Sequence, residues 1–233
     1  MSIDTTAEPA LDLIDGARMT REEFMRAYEA YPDGTSFELI EGTVHMASPV
    51  SGSHQRNEKL ILRLLDRYEM ETEGVDYIHE QTLHLSEDTT VEPDVLVRLL
   101  EEYGGECVGT SDDYLAGPPL FVVEVSNTSL SFDLNRKRRA YARHGVREYL
   151  VIDLVGRRCH WFDLGADEVL TPDADGVCRL RSLPGCWLAV EPVLDDDLHA
   201  ALPILYAGLA SPEHAAFVAD LARRRSTRSE GGV

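Results

Sequence analysis

Between residues 120 and 153 the sequence leaves little freedom of fold. Leu120-Phe-Val-Val-Glu-Val125 is short, apolar and β-branched, as buried strands are. Ser126 to Ser131 is a polar connection. Phe132 to His144 has helical spacing and meets Gly145, which suits a left-handed cap. Glu148 to Asp153 reads as another buried strand. Strand, helix and strand in this order imply an α/β sheet covered by helices. The unit also holds two polar residues out of place. Glu124 interrupts an otherwise apolar strand. Lys137 falls with Leu134 and Tyr141 at i, i+3, i+7 spacing, on the stripe that should face the sheet. Arg136, Arg139 and Arg143 fall on other faces.

The surrounding pattern extends this unit. Residues 1–18 read as a mobile tail. Thr20 and Glu23 form a capping box that opens a helix to about Ala30, stopped by Tyr31-Pro-Asp-Gly34. Phe37–Ile40 and Thr43–Ala47 suggest a hairpin around Glu41-Gly42. Ser48 to Ser53 is a loop, and Ser53 can cap a helix from about His54 to Glu73. Val75–His79, Thr82–Leu85 and Val91–Leu99 read as strands, the last with Glu92-Pro93-Asp94 near its start. Short strands follow at 159–164, 168–171, 177–182 and 187–190. Asp175-Gly176 suggests a hairpin between the middle pair, so residues 155–192 look like an antiparallel extension. Residues 195–202 and 213–225 look helical, and 226–233 disordered. The expected division is a tail (1–18), one domain (19–205), and a C-terminal helix with a disordered tail (206–233).

The chemistry concentrates on Asp94, Glu124 and Lys137. A carboxylate buried among Phe121, Val122, Val123 and Val125 is costly unless it is paired or binds a cation. Two carboxylates near a lysine suit phosphodiester hydrolysis. Hard oxygen ligands hold Mg²⁺ or Mn²⁺ while part of its water shell remains. The metal polarises the phosphate and activates water, and the lysine orients that water or offsets developing charge. The backbone carbonyl of Val125 is a further candidate ligand. Arg136, Arg139 and Arg143 could contact the acidic substrate. Plainer readings stand beside these: Glu124 in water on an edge strand, and Lys137 snorkelling to the surface or pairing there with Asp133. His54 reads as a helix-start residue, Asp153 as a turn residue and Arg223-Arg-Arg225 as a solvated run.

Charge sharpens the contrast. The chain of 233 residues has a formal charge of −20, yet residues 132–147 alone carry a net +5. Acid excess argues against a general nucleic-acid coat but not against an enzyme with one basic strip. Of 22 basic residues only Lys59 and Lys137 are lysines. Cys107, Cys159, Cys178 and Cys186 form no metal-binding spacing and read as reduced, mostly buried thiols. No apolar run approaches the ~18 residues that span a membrane, and the N-terminus lacks a signal-peptide pattern, so the expected compartment is the cytoplasm.

An ordered set of short motifs carries a resemblance. Phe37-Glu-Leu-Ile-Glu-Gly42, Ser48-Pro49, His54-Gln55, Pro93-Asp94-Val95, Val123-Glu124-Val125, the spaced Asp133/Lys137/Tyr141, Gly145-Val-Arg-Glu-Tyr149 and Val151-Ile-Asp153 together resemble the Uma-type family of putative restriction endonucleases. The resemblance spans roughly residues 19–190. It implies the PD-(D/E)XK nuclease superfamily and a restriction-endonuclease-like core, a central mixed sheet flanked by helices. It also implies Asp94 and Glu124 as metal ligands, DNA as substrate, and compatibility with a homodimer. The lysine of the (D/E)XK motif would fall at position 126, which is Ser; Lys137 is its natural substitute. Asn127-Thr128 replaces a usual Ser-Pro, and Leu150 a usual Trp. A further acid often approaches the metal in this superfamily, and strand period favours Glu38 over Glu41. Two functions follow: a metal-dependent DNA endonuclease, or an inactive nuclease-fold module that binds protein or nucleic acid. No G-x-S-x-G elbow or phosphate-cradling glycine loop is present.

Overall fold

A computed structural model describes residues 12–32, 35–47 and 51–230. The expected stop at Asp33-Gly34, the Ser48–Val50 part of the loop, and residues 1–11 and 231–233 of the expected tails lie outside it.

α1 (Arg21–Glu29) starts at the expected capping box: Glu23 N–H donates to Thr20 Oγ1, and Thr20 N–H to the Glu23 carboxylate. β1 (Phe37–Ile40) and β2 (Thr43–Met46) form the expected hairpin through Glu41 and Gly42, both at positive φ. α2 (Gly52–Met70) is capped by Ser51 rather than Ser53, two residues earlier than expected. Then follow β3 (Val75–His79), β4 (Leu83–Ser86), β5 (Thr89–Val91) and β6 (Val95–Leu99). The expected strand 91–99 is thus broken at Glu92-Pro93-Asp94. Pro93 has no N–H to donate to a ladder, and the chain leaves one sheet for another there.

β7 (Val108–Gly109) and β8 (Leu115–Ala116) are short, and β9 (Phe121–Ser126) is the acid-bearing strand. The helix expected at 132–144 is three segments: α3 (Leu130–Phe132), a wider i→i+5 turn (Asp133–Lys137) and α4 (Arg138–Arg143). Such turns insert an extra residue and are frequent at functional sites. β10 (Glu148–Asp153), β11 (Arg158–Asp163), β12 (Glu168–Leu170), β13 (Val177–Arg179) and β14 (Trp187–Ala189) follow, then α5 (Val190–Leu194), α6 (Leu198–Leu209) and α7 (Pro212–Glu230).

The main sheet has order β12-β11-β10-β9-β6-β3, with β9 and β10 parallel and the other pairs antiparallel. A second mixed sheet has order β2-β1-β5-β4-β8-β7. Val95, Val97, Val123, Val125, Leu150 and Ile152 pack on Leu60, Ile61, Leu64 and Leu65 of α2. On the opposite face Leu96, Val122, Tyr149 and Val151 pack with Ala140 and Tyr141 of α4 and with Ile40, Leu83 and Val91 of the second sheet. This is the expected mixed sheet flanked by helices.

Three local expectations fail. The hairpin at Asp175-Gly176 does not join β12 to β13. β13 pairs with β14, because Asp173 Oδ1 accepts the N–H groups of Asp175 and Val177 and folds the turn onto itself. Residues 12–18 are packed rather than loose: Leu13 is buried, Gly16 N–H donates to the Val44 carbonyl, and Arg18 bridges to Thr43. At the other end α7 continues past Arg225 to Glu230, and Arg228 Nη1 donates to the Glu101 carbonyl. Leu205 and Leu221 join the main core, so burial is continuous across position 205. No helix among the described residues is long and apolar enough to cross a membrane.

Candidate active site

β9 lies in the interior of its sheet, between β10 and β6. Period 2 points Val122 and Glu124 to one face, while Val123 and Val125 go to the α2 face. Glu124 is therefore not a solvated edge residue; it is only 3% exposed. On that face it meets the wide turn after α3. Lys137 Nζ is 2.9 Å from Glu124 Oε1 and 3.1 Å from Glu38 Oε1, and Lys137 is 7% exposed. Lys137 is thus a buried ammonium between two carboxylates, not a snorkelling surface group. Tyr141, one helical turn later, donates its hydroxyl to Glu124 Oε1 at 2.8 Å.

Glu38 arrives from the second sheet and accepts the Glu92 N–H at 2.9 Å. Glu41 lies past the end of β1, in the turn at positive φ rather than on the strand, and its carboxylate pairs with Arg143 at 3.4 Å. Asp94 sits just past Pro93, where the chain passes from the second sheet to the first. Its Oδ2 accepts the Val125 N–H at 2.6 Å, and its Oδ1 lies 3.2 Å from His54 Nε2. Asp133 does not pair with Lys137 at the surface; it is buried and accepts the Ser129 hydroxyl at 2.6 Å.

These groups line a cavity of about 700 Å³. Glu38, Asp94, Glu124, Val125 and Lys137 all reach it, as does Arg136. Arg139 and Arg143 are not among its lining residues. Seven residues beyond Arg136, Arg143 has travelled about 10 Å along the helix axis, away from the cavity. His54 lines the cavity although its place suggested only a helix start. The signal was its position in the first turn of α2, whose N-terminus faces Asp94. His45 and Phe132 also line it and carried no signal as site residues, and Asn127, noted only as a departure from the family's usual Ser-Pro, lines it as well. Asp153 is the expected turn residue, accepting the Gly156 N–H at 2.7 Å.

The electrostatics follow from burial and charge. Burial pushes the Glu124 carboxyl well above the usual range; Lys137 pulls it down, and Asp94, Asp133 and Glu38 push it further up. Burial also raises Glu38, against the pull of Lys137. Burial works against the Lys137 ammonium, but Glu124 and Glu38 hold it protonated well above the ordinary lysine range. Burial raises Glu58, beside His54, to about 7. One ammonium therefore faces more carboxylate charge than it can neutralise.

The fit to a divalent cation rests on the donor chemistry, since the raised Glu124 and Glu38 carboxyls would be drawn back to the ionised form by a bound cation. Asp94 and Glu124 supply hard oxygens to the same cavity that the backbone of Val125 lines. Among the described residues no three His, Cys, Asp or Glu side chains form a ready-made metal cluster. Two carboxylates and a carbonyl are hard oxygen donors of the kind Mg²⁺ takes while it keeps several waters.

A family model described as Uma2, putative restriction endonuclease, matches residues 21–191. The fold is similar to the crystal structure of a putative nuclease belonging to DUF820 from Anabaena variabilis, with TM-score 0.62 and 14% identity, over 76% of this chain and 98% of that one. No curated protein matches the chain.

Proposed function

Because the chain belongs to the Uma2 family of putative restriction endonucleases, we propose that the cavity is the active site of a metal-dependent endonuclease that hydrolyses DNA phosphodiester bonds. The observation that carries this reading is the buried Lys137 ammonium held between Glu124 and Glu38, beside Asp94, at the strand ends that open into one cavity. Asp94, Glu124 and the Val125 carbonyl would hold Mg²⁺ or Mn²⁺. The bound cation would supply charge for the scissile phosphate and a water acidified by coordination.

The remaining roles belong to the chain's own groups. Lys137 has three N–H donors and spends two on carboxylates. The third is available to orient the attacking water or a phosphate oxygen as charge develops. Tyr141 fixes Glu124 through Oε1, leaving Oε2 for the cation. The Val125 N–H fixes Asp94 through Oδ2, and His54 Nε2, 3.2 Å from Oδ1, orients the other oxygen. Glu38 holds Lys137 in place from the second sheet. Arg136, on the cavity wall, would take a flanking phosphate. A protein with these roles does not need lysine at position 126, where Ser stands.

The test is cleavage of plasmid DNA in Mg²⁺ or Mn²⁺ by the wild type, Asp94→Asn and Lys137→Ala, each checked for fold by circular dichroism. Metal-dependent cutting lost in both variants supports the reading. Equal cutting by Asp94→Asn would refute it. A second reading, an inactive binding module, is favoured by the net charge of −20 and by Ser126; binding without cutting by the wild type would select it.

A further inference from the structure

We propose that this site admits a single DNA strand rather than an intact duplex, with one base stacked on the ring wall formed by His45 and Phe132. The inference rests on the nuclease reading above and names the form of its substrate. Three independent observations carry it.

The first is depth. Glu124 and Lys137 are nearly buried, so a phosphodiester must enter the cavity to reach them. A space of about 700 Å³ is the size of a small-molecule pocket. It accommodates a nucleotide, whereas a paired and stacked base must first leave the duplex.

The second is the chemistry of the wall. The His45 and Phe132 rings lie 4.9 Å apart, tilted at 60°, and both line the cavity. Arg136 Nη1 sits 3.3 Å from His45 Nε2, adding a flat guanidinium to the same wall. At the rim Met46 is 52% exposed. Aromatic faces with an arginine are the means by which proteins hold unpaired bases without reading sequence. Nothing in the hydrolytic step requires rings at that place.

The third is charge. Seven carboxylates and two side chains that are always cationic line the cavity. Duplex DNA brings one negative charge per ~1.7 Å of axis, and a single strand one per ~3.4 Å. An acidic chamber therefore repels the duplex more, even with one divalent cation bound.

The test is fluorescence anisotropy with a fluorescein-labelled 12-nucleotide strand and the matching blunt duplex, in Ca²⁺. Wild type, Phe132→Ala and Phe132→Trp are compared, with fold checked by circular dichroism. Single-strand affinity at least ten-fold above duplex affinity is expected. Phe132→Ala should lose about ten-fold for the strand, the scale of one stacked base, while Phe132→Trp keeps the affinity. Duplex affinity equal to or above that of the strand would overturn the inference. So would unchanged strand binding by folded Phe132→Ala, or no binding of either DNA. A parallel Mn²⁺ cleavage assay on both DNAs separates the two layers. Equal or preferred cutting of intact duplex overturns this inference and leaves the nuclease reading. Phe132-dependent strand binding without any cutting supports it and overturns the nuclease reading.

Discussion

Replacing Lys137 with methionine keeps the side-chain stem and deletes the ammonium shared by Glu38 and Glu124. Each contact near 3 Å is worth about 5 kcal/mol at an effective dielectric of about 20. The variant will not lose the sum, because a stranded carboxyl can take up a proton. With a usual Glu value of 4.5, protonation at pH 7.5 costs about 1.4 kcal/mol for each of three pH units, or about 4 kcal/mol. Because burial already raises both carboxyls in the wild type, that figure is the ceiling for each stranded carboxyl, and the expected destabilisation at pH 7.5 is up to about 4 kcal/mol, within the range for breaking a buried ion pair. Its pH dependence has a definite sign. In the wild type burial already holds the Glu124 and Glu38 carboxyls above their unfolded values, and deleting the ammonium that pulls them down raises them further, so the variant gains more stability than the wild type as pH falls towards 4.5. At pH 5.5 the loss should shrink to about 1–2 kcal/mol. Urea unfolding at the two pH values measures this. Adding Glu124→Gln to Lys137→Met removes one stranded charge and should recover at least about 2 kcal/mol at pH 7.5. A loss below about 1 kcal/mol, a loss equal at both pH values, or no recovery in the double variant would refute the reasoning.

Glu148 is buried and accepts the Trp161 indole N–H at 2.6 Å, the Arg181 and Ser182 N–H groups, and the Ser182 hydroxyl, so it fastens the loop at 181–182 to the main sheet. Glu148→Ala should cost about 3 kcal/mol or more in urea unfolding, since several buried donors lose their acceptor, and Glu148→Gln distinctly less. Burial pushes the Cys107 thiol to about 11 and Cys159 to about 12, and raises Cys178 and Cys186 as well. At pH 8 about one in a thousand Cys107 thiols is ionised, so a thiol reagent such as DTNB should label the native protein only as fast as it opens. Prompt labelling at pH 8 would contradict the packing around these residues.

The sequence made the centre of the site legible where the signal was local. Glu124 and Lys137 broke the apolar pattern of the elements that carry them, and those breaks face each other across 2.9 Å. Asp94 was marked by the proline before it. What stayed hidden depended on contacts between distant segments. Glu92-Pro93-Asp94 looks like the start of one strand, yet it is where the chain changes sheets, and this brings Glu38 to Lys137. The Arg181 and Ser182 partners of Glu148 lie more than 30 residues ahead in the chain. Arg136, Arg139 and Arg143 are alike in sequence, and only the position of the cavity along the helix selects Arg136. The N-terminal residues 12–18 read as loose because most of their hydrogen bonds go to β2, with only the Ala17 N–H to Ile14 carbonyl bond inside the segment. Helix α6 runs through Pro203, its sixth residue, past the end expected at residue 202.

The central claim is that Asp94 and Glu124 hold a divalent cation. Calorimetric titration of Mn²⁺ into the wild type and Asp94→Ala, with and without a short DNA strand, tests it most directly, with circular dichroism confirming the fold. One specific site in the wild type, lost or weakened at least ten-fold in Asp94→Ala, is the expected result. The same Mn²⁺ affinity in both proteins, or no binding by either even with DNA present, would contradict it.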